Sequence, residues 1–133
     1  MKEVLDSRFF AAHFSGGDPD VADAARSKLK KLRREGRGIL PTVVIAEVVN
    51  LLCRGIGRNQ ARAAFRAMAA YGLDVVPLDE TIAAEAGLLK CIHRDLPLAD
   101  AIVASLALRE DGRVISDDPH FEAIQGLRVS WLE

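Results

Sequence analysis

The stretch Val114-Ile115-Ser116-Asp117-Asp118-Pro119 shows the pattern that organises the chain. An apolar run of strand type ends in carboxylates, and a proline then opens a helical turn, because proline fits the first helical position. The same order occurs near the start, where Val4 and Leu5 precede Asp6. Both acids are therefore expected at the carboxyl ends of parallel strands, the edge where open α/β sheets bind their ligands.

In the rest of the chain, short apolar runs alternate with stretches whose apolar residues recur with the period of a helix. Five runs are predicted as strands: Glu3–Leu5, Gly38–Leu40, Asp74–Leu78, Arg113–Ser116 and Arg128–Leu132. Helices are predicted at Phe9–Phe14, Pro19–Arg34, Thr42–Cys53, Asn59–Tyr71, Thr81–Ile92, Pro97–Glu110 and Pro119–Gln125. This alternation predicts an α/β three-layer sandwich, in which a five-stranded parallel sheet lies between helices.

Length and composition narrow the class of protein. The 133 residues suit a single domain, 1–133, with a core large enough to need no disulfide or zinc. The chain has no signal-peptide pattern and no apolar run near the roughly 20 residues that cross a bilayer, so we expect a cytoplasmic protein without a membrane partner. A net charge of −1 gives no global signature of a nucleic-acid binder. Cys53 and Cys91 are expected to be reduced, buried thiols.

Four carboxylates occupy apolar surroundings, namely Asp6, Glu47, Asp100 and Asp118. Burying an ionised carboxylate costs several kcal/mol or more unless a cation or hydrogen-bond donors compensate it. Asp100 lies in a helix that is apolar on every side, so the helix dipole alone does not offset its burial. If the four converge, their repulsion favours a bound cation, and oxygen-only ligands select Mg²⁺ or Mn²⁺. Such a site typically serves phosphodiester chemistry.

Each of these acids also has a simpler interpretation. Asp118 before Pro119 fits a helix cap, and Asp6 or Ser7 can cap the short helix that follows. Glu47 has no capping role, but it can lie on a narrow solvent-facing seam of its helix. Either Asp117 or Asp118 can be the acid that faces the ion.

The order and context of the acids resemble the PIN-domain family of metal-dependent nucleases, and within it the VapC-type toxins of toxin–antitoxin modules. The matching segments are Val4-Leu5-Asp6-Ser7, Ile45-Ala46-Glu47-Val48, Leu96-Pro97-Leu98-Ala99-Asp100-Ala101-Ile102-Val103-Ala104 and Ile115-Ser116-Asp117-Asp118-Pro119-His120-Phe121. The resemblance implies endoribonuclease activity, with Mg²⁺ or Mn²⁺ held by Asp6, Glu47, Asp100 and Asp118 as the catalytic residues.

The resemblance also assigns supporting roles and partners. The hydroxyls of Ser7 and Ser116 would orient a carboxylate or a water on the metal. The spacing to Phe121 favours Asp118 as the last ligand, with Asp117 supporting it or exposed. The family further implies a homodimer and a cognate antitoxin whose C-terminal segment blocks the site.

Basic residues offer possible RNA contacts. Arg58, Arg62 and Arg66 recur at i, i+4 spacing, opposite a stripe of Ala61, Phe65 and Met68 that is predicted to pack inward. A solvated helix face explains these arginines equally well. The basic run between Arg26 and Arg37 fits RNA, an acidic partner segment or a plain surface. His93 and His120 are either proton donors or exposed side chains.

Two other functions fit the same residues. One is a housekeeping RNA-processing nuclease of the same fold, with no toxin role. The other is a non-catalytic α/β binding module that holds Mg²⁺ in an acidic pocket. The absence of a lysine near the predicted pocket counts against the second, because Lys90, the nearest candidate, lies on a helix away from the strand ends.

Overall fold

A parallel sheet forms the centre of the protein in the computed structural model, which describes residues 1–15 and 17–132. Within these ranges its five strands are β1 (Glu3–Leu5), β2 (Gly38–Pro41), β3 (Asp74–Val76), β4 (Arg113–Ile115) and β5 (Arg128–Ser130). Their order is β3-β2-β1-β4-β5, and every neighbouring pair is parallel. The predicted sheet is confirmed. The last three strands end earlier than predicted, because the chain leaves the ladder once its partner strand ends.

Helices flank this sheet, as the α/β sandwich prediction requires. They are α1 (Ser7–Phe14), α2 (Pro19–Glu35), α3 (Thr42–Ile56), α4 (Arg58–Ala70), α5 (Glu80–Ile92) and α6 (Leu98–Arg109). Right-handed crossovers place the helices that connect β1 to β3 on one face, and those that connect β3 to β4 on the other. The segment predicted as a helix at Pro119–Gln125 is instead a 3₁₀ helix, Pro119–Ala123. It ends there because Ile124 is extended and Gly126 has a positive φ of 81°.

Capping residues explain several helix boundaries. The Asp18 side chain accepts a hydrogen bond from the Asp20 amide, and the next residue is a proline at the first helical position of α2. Gly36 ends the same helix in the left-handed conformation, with φ of 65°. The Asp79 side chain accepts a hydrogen bond from the Ile82 amide at 2.8 Å and so caps α5.

The core lies around the three central strands and α6. Val4, Leu5, Ile39, Leu40, Val114 and Ile115 are fully buried, as expected for a parallel sheet covered on both faces. Every residue of α6 from Asp100 to Ala107 is buried, which confirms that little of this helix faces water. A carboxylate on α6 is therefore held inside the protein.

Three side chains are more exposed than their sequence patterns predicted. Cys53 and Cys91 are both exposed, so the expectation of buried thiols was wrong. Phe65 does not pack inward with Ala61 and Met68 but remains 47% exposed. Cys53 and Phe65 line an open cavity of about 710 Å³ between α3 and α4. Helical periodicity identifies a face but not whether a neighbour covers it, and here that face is only partly covered.

Within residues 1–15 and 17–132, none of the helices combines the length and apolar character required to traverse a lipid bilayer.

Candidate metal centre

The sheet order creates a crevice between β1 and β4. The chain moves from β1 through β2 to β3 on one side and then returns to add β4 and β5 on the other. At such a reversal the connections leave in opposite directions, and ligands bind outside the carboxyl ends of the two central strands. Asp6 follows β1 and donates its amide to the Ile115 carbonyl at the end of β4 at 3.3 Å. The carboxylates predicted after these strands therefore meet at one edge.

Asp6 lies at the bottom of this crevice, 1% exposed. Its Oδ2 accepts a hydrogen bond from the Ser116 hydroxyl at 2.7 Å, and Ser116 Oγ in turn accepts from the Asp118 amide at 3.0 Å. Asp6 Oδ1 is buried and has no hydrogen-bond partner among the described residues. Burial raises the pKa of Asp6 and the charge of Asp118 adds to this, whereas the hydrogen bond from Ser116 and the dipoles of the nearby backbone amides lower it. The side chain makes no capping hydrogen bond to α1.

Asp100 reaches the same crevice from the first turn of α6. One ligand atom from each of Asp100, Asp118 and His120 lies within 4.8 Å of the others. His120 Nδ1 is 2.9 Å from Asp118 Oδ1 and 3.4 Å from Asp100 Oδ2. Burial raises the pKa of Asp100 to about 6, with further contributions from Asp6 and Asp118, although His120 opposes the rise. Asp100 therefore belongs to a group of mutually repelling acids.

Asp118 serves two purposes in the structure. Its Oδ1 accepts from the His120 amide at 2.9 Å and so caps the 3₁₀ helix, as the simpler interpretation predicted. It also lies beside Asp100 and His120 in the cluster. Asp117, in contrast, points away, is 43% exposed and pairs with Arg8 Nε at 2.7 Å. Of the two neighbouring acids, Asp118 is the one in the cluster.

Glu47 approaches from α3, the helix that follows β2. Its Oε1 is buried and has no hydrogen-bond partner among the described residues. Burial raises the pKa of Glu47 to about 7, the charges of Asp6 and Asp100 raise it further, and a hydrogen bond from Ser7 opposes the rise. Because both aspartates act on it, Glu47 faces the cluster rather than a solvent-facing seam.

The residues fit a hard divalent cation. Three carboxylate oxygens, Asp6 Oδ1, Glu47 Oε1 and Asp100 Oδ2, are buried without hydrogen-bond partners in the part of the chain that the structure describes. Arg8, whose charge is felt by Asp6 and Asp118, is already engaged by Asp117. Unpaired buried charges of one sign are costly, and carboxylate oxygens are ligands that hard divalent cations prefer. A cation bound in the crevice would offset the negative charge that these acids share.

The structure also separates residues that the sequence grouped as functional. His120 contacts Asp118 and Asp100 directly, although the sequence alone left open whether it is a proton donor or an exposed side chain. Its position just after Asp117-Asp118-Pro119 was the sequence feature that could have indicated this contact.

Arg58, Arg62 and Arg66 are exposed on α4. Arg62 lines the cavity between α3 and α4, whose lining includes none of the four acids. The structure therefore does not bring these arginines to the carboxylates.

Comparison with known proteins identifies the class. The sequence profile of the PIN domain matches residues 4–127, and the chain therefore belongs to the PIN-domain family, whose members include nucleases. No curated protein matches the chain.

Solved structures share the fold over nearly the whole chain. VapBC2 from Rickettsia felis, bound to a DNA fragment from its promoter, has a TM-score of 0.80 at 15% identity, with 98% of each chain covered. VapBC from Salmonella typhimurium, bound to DNA, has a TM-score of 0.79 at 16% identity, covering 100% of this chain and 99% of that one. VapC20 of Mycobacterium tuberculosis, a Sarcin-Ricin loop cleaving toxin, has a TM-score of 0.72 at 20% identity, with coverages of 92% and 94%. These likenesses show a common fold.

Proposed function

We propose that the chain is a divalent-metal-dependent endoribonuclease that hydrolyses RNA phosphodiesters. The observation that carries this proposal is the convergence of Asp6, Glu47, Asp100 and Asp118 at the carboxyl edge of the sheet, with buried oxygens that lack partners. Membership of the PIN-domain family supports nuclease chemistry at this edge.

Each residue of the centre has a distinct task in this proposal. The four acids would hold Mg²⁺, for which Mn²⁺ would substitute, and the Ser116 hydroxyl binds one oxygen of Asp6, which leaves the other oxygen available to a cation. Ser7 supports Glu47, whereas Asp117 pairs with Arg8 outside the cluster and takes no part in the reaction. When bound, a divalent cation supplies a Lewis acid that lowers the pKa of water and neutralises charge on the leaving oxygen.

The reaction itself is a hydrolysis. The oxygen of a water forms a bond to phosphorus while that water loses a proton to solvent, the bond from phosphorus to the leaving ribose oxygen breaks, and that oxygen takes up a proton. His120 is the candidate donor, because its Nδ1 lies 2.9 Å from Asp118 and its side chain remains accessible to a substrate. Burial of Asp6 and Asp100 excludes bulk water from the floor of the site.

We further propose that the protein is the toxin of a toxin–antitoxin pair, acts as a homodimer and is blocked by a cognate antitoxin. The support is the shared fold with VapBC structures and with VapC20, which is described as a cleaving toxin. Growth arrest on expression, relieved by the product of the neighbouring gene, is the expected result. Harmless expression of an active enzyme would instead indicate an RNA-processing nuclease.

The decisive experiment is cleavage of a mixed RNA substrate by purified protein in EDTA, Mg²⁺ and Mn²⁺. We expect cleavage only with metal, and a loss of about 100-fold or more in Asp100→Asn, because electrostatic groups at a reacting centre typically contribute that much. Asp117→Asn is the matched control, since it removes the same charge from an exposed acid outside the cluster. Undiminished cleavage in EDTA or in Asp100→Asn would contradict the proposal.

The same assay addresses the non-catalytic alternative. A binding module that merely holds Mg²⁺ would show metal-dependent stabilisation, lost in Asp100→Asn, without cleaving any RNA. Metal-dependent cleavage excludes that function.

A further inference from the structure

An open cavity of about 550 Å³ lies against one side of the metal centre. It is lined by Ser7, Glu47, Asn50, Leu51, Arg54 and Gly55. Glu47 belongs to both the cavity and the acid cluster, and Ser7 directly follows Asp6. The cavity is therefore continuous with the proposed reacting centre. We refer to it as the α3 cavity.

The spacing on α3 arranges the polar groups of this cavity in a row. Glu47, Asn50 and Arg54 stand at positions i, i+3 and i+7, which share one face of a helix. Arg54 lies two turns beyond Glu47, about 10.5 Å along the axis at 1.5 Å per residue. A strand that crosses the metal centre and follows this face would bring a flanking phosphate, rather than the reacting one, to the guanidinium.

Charge makes such a contact necessary. Four acids converge on the centre and repel an RNA backbone, so the strand needs cations on either side of the reacting phosphate. Arg54 has neither an ion-pair nor a hydrogen-bond partner among the residues that the structure describes. Arg8, the other arginine near the centre, is held by Asp117. Arg54 is therefore an uncommitted cation in the cavity that Glu47 also lines, and its planar fork matches a phosphate.

The rest of the wall suits a nucleotide. The Leu51 side chain is 52% exposed and offers an apolar surface to a base or ribose, and the exposed amide of Asn50 can both donate and accept hydrogen bonds. A Cβ at Gly55 would meet no atom within 4 Å, so the cavity is open above this residue. Its volume lies within the range of about 300–1,000 Å³ typical of ligand sites.

We propose that the α3 cavity binds the nucleotide next to the scissile phosphate of single-stranded RNA, with Arg54 contacting its phosphate. This inference rests on the proposed function. It places the substrate path along the face of α3 that carries Glu47 and Arg54, whereas Arg62 on α4 lines the neighbouring cavity, which shares Asn50 with this one.

The first test is binding of a fluorescent single-stranded RNA of mixed sequence to Asp100→Asn protein in Mg²⁺, measured by anisotropy over a range of salt. Adding Arg54→Gln is expected to weaken binding about tenfold, the effect of one hydrogen bond to a charged group. The slope of log affinity against log salt should fall by about 0.7, because one phosphate contact is lost. Arg128→Gln is the control, an exposed arginine at the start of β5 that pairs with Asp111, and it should leave both values unchanged.

A second variant tests the cavity without removing a charge. Gly55→Leu meets open space and replaces a helical glycine, so the protein should fold at least as stably as the parent. The leucine would occupy the cavity. In the otherwise unmodified enzyme we expect both Arg54→Gln and Gly55→Leu to raise KM several-fold with kcat nearly unchanged, because a flanking contact is made equally in the ground and transition states.

The outcomes separate this inference from the proposed function. Equal RNA affinity with and without Arg54→Gln, or a larger loss in Arg66→Gln than in Arg54→Gln, overturns the α3 path even when the enzyme cleaves RNA. If Arg54→Gln and Gly55→Leu bind RNA more weakly but the wild type cleaves no RNA, the α3 cavity is supported as an RNA-binding site and the proposed nuclease activity is contradicted. Failure of the parent protein to bind RNA overturns the inference.

Discussion

Strand β1 carries a buried acid at each of its ends, and the two ends are built differently. Glu3 at the amino end is 4% exposed and Asp6 just beyond the carboxyl end is 1% exposed. Lys28 Nζ lies 2.8 Å from Glu3 Oε1, and Arg37 Nη1 lies 2.5 Å from Glu3 Oε2. Asp6 has the Ser116 hydroxyl on one oxygen and no cation. The protein thus pairs Glu3 with two of its own cations, whereas no cation among the described residues forms an ion pair with Asp6.

The pKa values of the two acids shift in opposite directions for this reason. Burial alone would raise the pKa of Glu3, but hydrogen bonds and charge from Lys28 and Arg37 lower it below its ordinary value. Burial and the charge of Asp118 raise the pKa of Asp6. A buried acid with its own cations has a structural role. A buried acid without them, among other acids, is the arrangement on which the proposed metal site rests.

The largest effect is expected from removing the cations around Glu3. The double variant Lys28→Met/Arg37→Met leaves a buried carboxylate unpaired, which should cost about 3–5 kcal/mol in the free energy of unfolding measured with urea. Arg128→Met, which breaks the exposed pair with Asp111, is the control and should cost less than about 1 kcal/mol. Similar losses in the two proteins would show that the amino-end network is not structural.

Metal binding at the carboxyl edge of the sheet should raise the free energy of unfolding by somewhat less than the loss expected at Glu3. At a concentration 100 times its Kd, Mg²⁺ or Mn²⁺ is expected to add about 2.7 kcal/mol to the free energy of unfolding relative to EDTA. The gain should nearly vanish in Asp100→Asn and persist in Asp117→Asn, as followed by thermal unfolding. An equal gain in Asp100→Asn would place the ion elsewhere.

The free energy of unfolding of the metal-free protein should depend on pH because the acids at the carboxyl edge of the sheet are buried beside one another. The folded-state pKa values of Glu47 and Asp100 are raised to about 7 and about 6 from 4.5 and 3.8, so the folded state binds more protons than the unfolded state between these values. Stability from these two groups is therefore complete below about pH 4 and is lost as the pH rises through 6 and 7. Urea unfolding in EDTA at pH 5 and 7.5 measures the loss, which Glu47→Gln/Asp100→Asn should reduce. A pH dependence that the double variant leaves unchanged would contradict this origin.

The smallest effect is a gain in stability. Asp100→Asn relieves repulsion by Asp6 and Asp118, so in EDTA at pH 7.5 it should stabilise the protein by about 1 kcal/mol, the scale of a hydrated charge pair about 4 Å apart. Asp117→Asn, which only breaks an exposed pair with Arg8, should be neutral or slightly destabilising. Destabilisation of Asp100→Asn under these conditions would show that the cluster is not repulsive.

Features that depend on local sequence were predictable, and those that depend on distant partners were not. Apolar runs, acids after strands and proline at helix starts predicted the sheet, the convergence of Asp6 with Asp118 and the cap of the 3₁₀ helix. The role of Glu3 was missed, because Lys28 and Arg37 reach it from α2 and from the segment before β2. In sequence, Glu3 looks like an ordinary first residue of a strand.

The solvent exposure of individual side chains was the other property that sequence patterns did not predict. Cys53 and Phe65 sit on apolar faces by periodicity, yet the packing of α3 against α4 leaves them open. His120 was equally ambiguous, because its contact with Asp100 depends on how α6 crosses the end of β4. Periodicity gives the direction of a side chain within its element, whereas its burial is decided by the neighbouring element.

The pairing of β1 with β4 has a consequence for how the protein is made. Asp6 and Ser116, which share a hydrogen bond in the crevice, are 110 residues apart in the chain. Closing so long a loop is slow compared with forming local helices, and residues near the amino end leave the ribosome first. A nascent chain with α1 to α5 already formed would still lack Asp100 and Asp118. The cluster of acids is thus assembled only when synthesis has passed β4, and shorter translation products carry an incomplete centre.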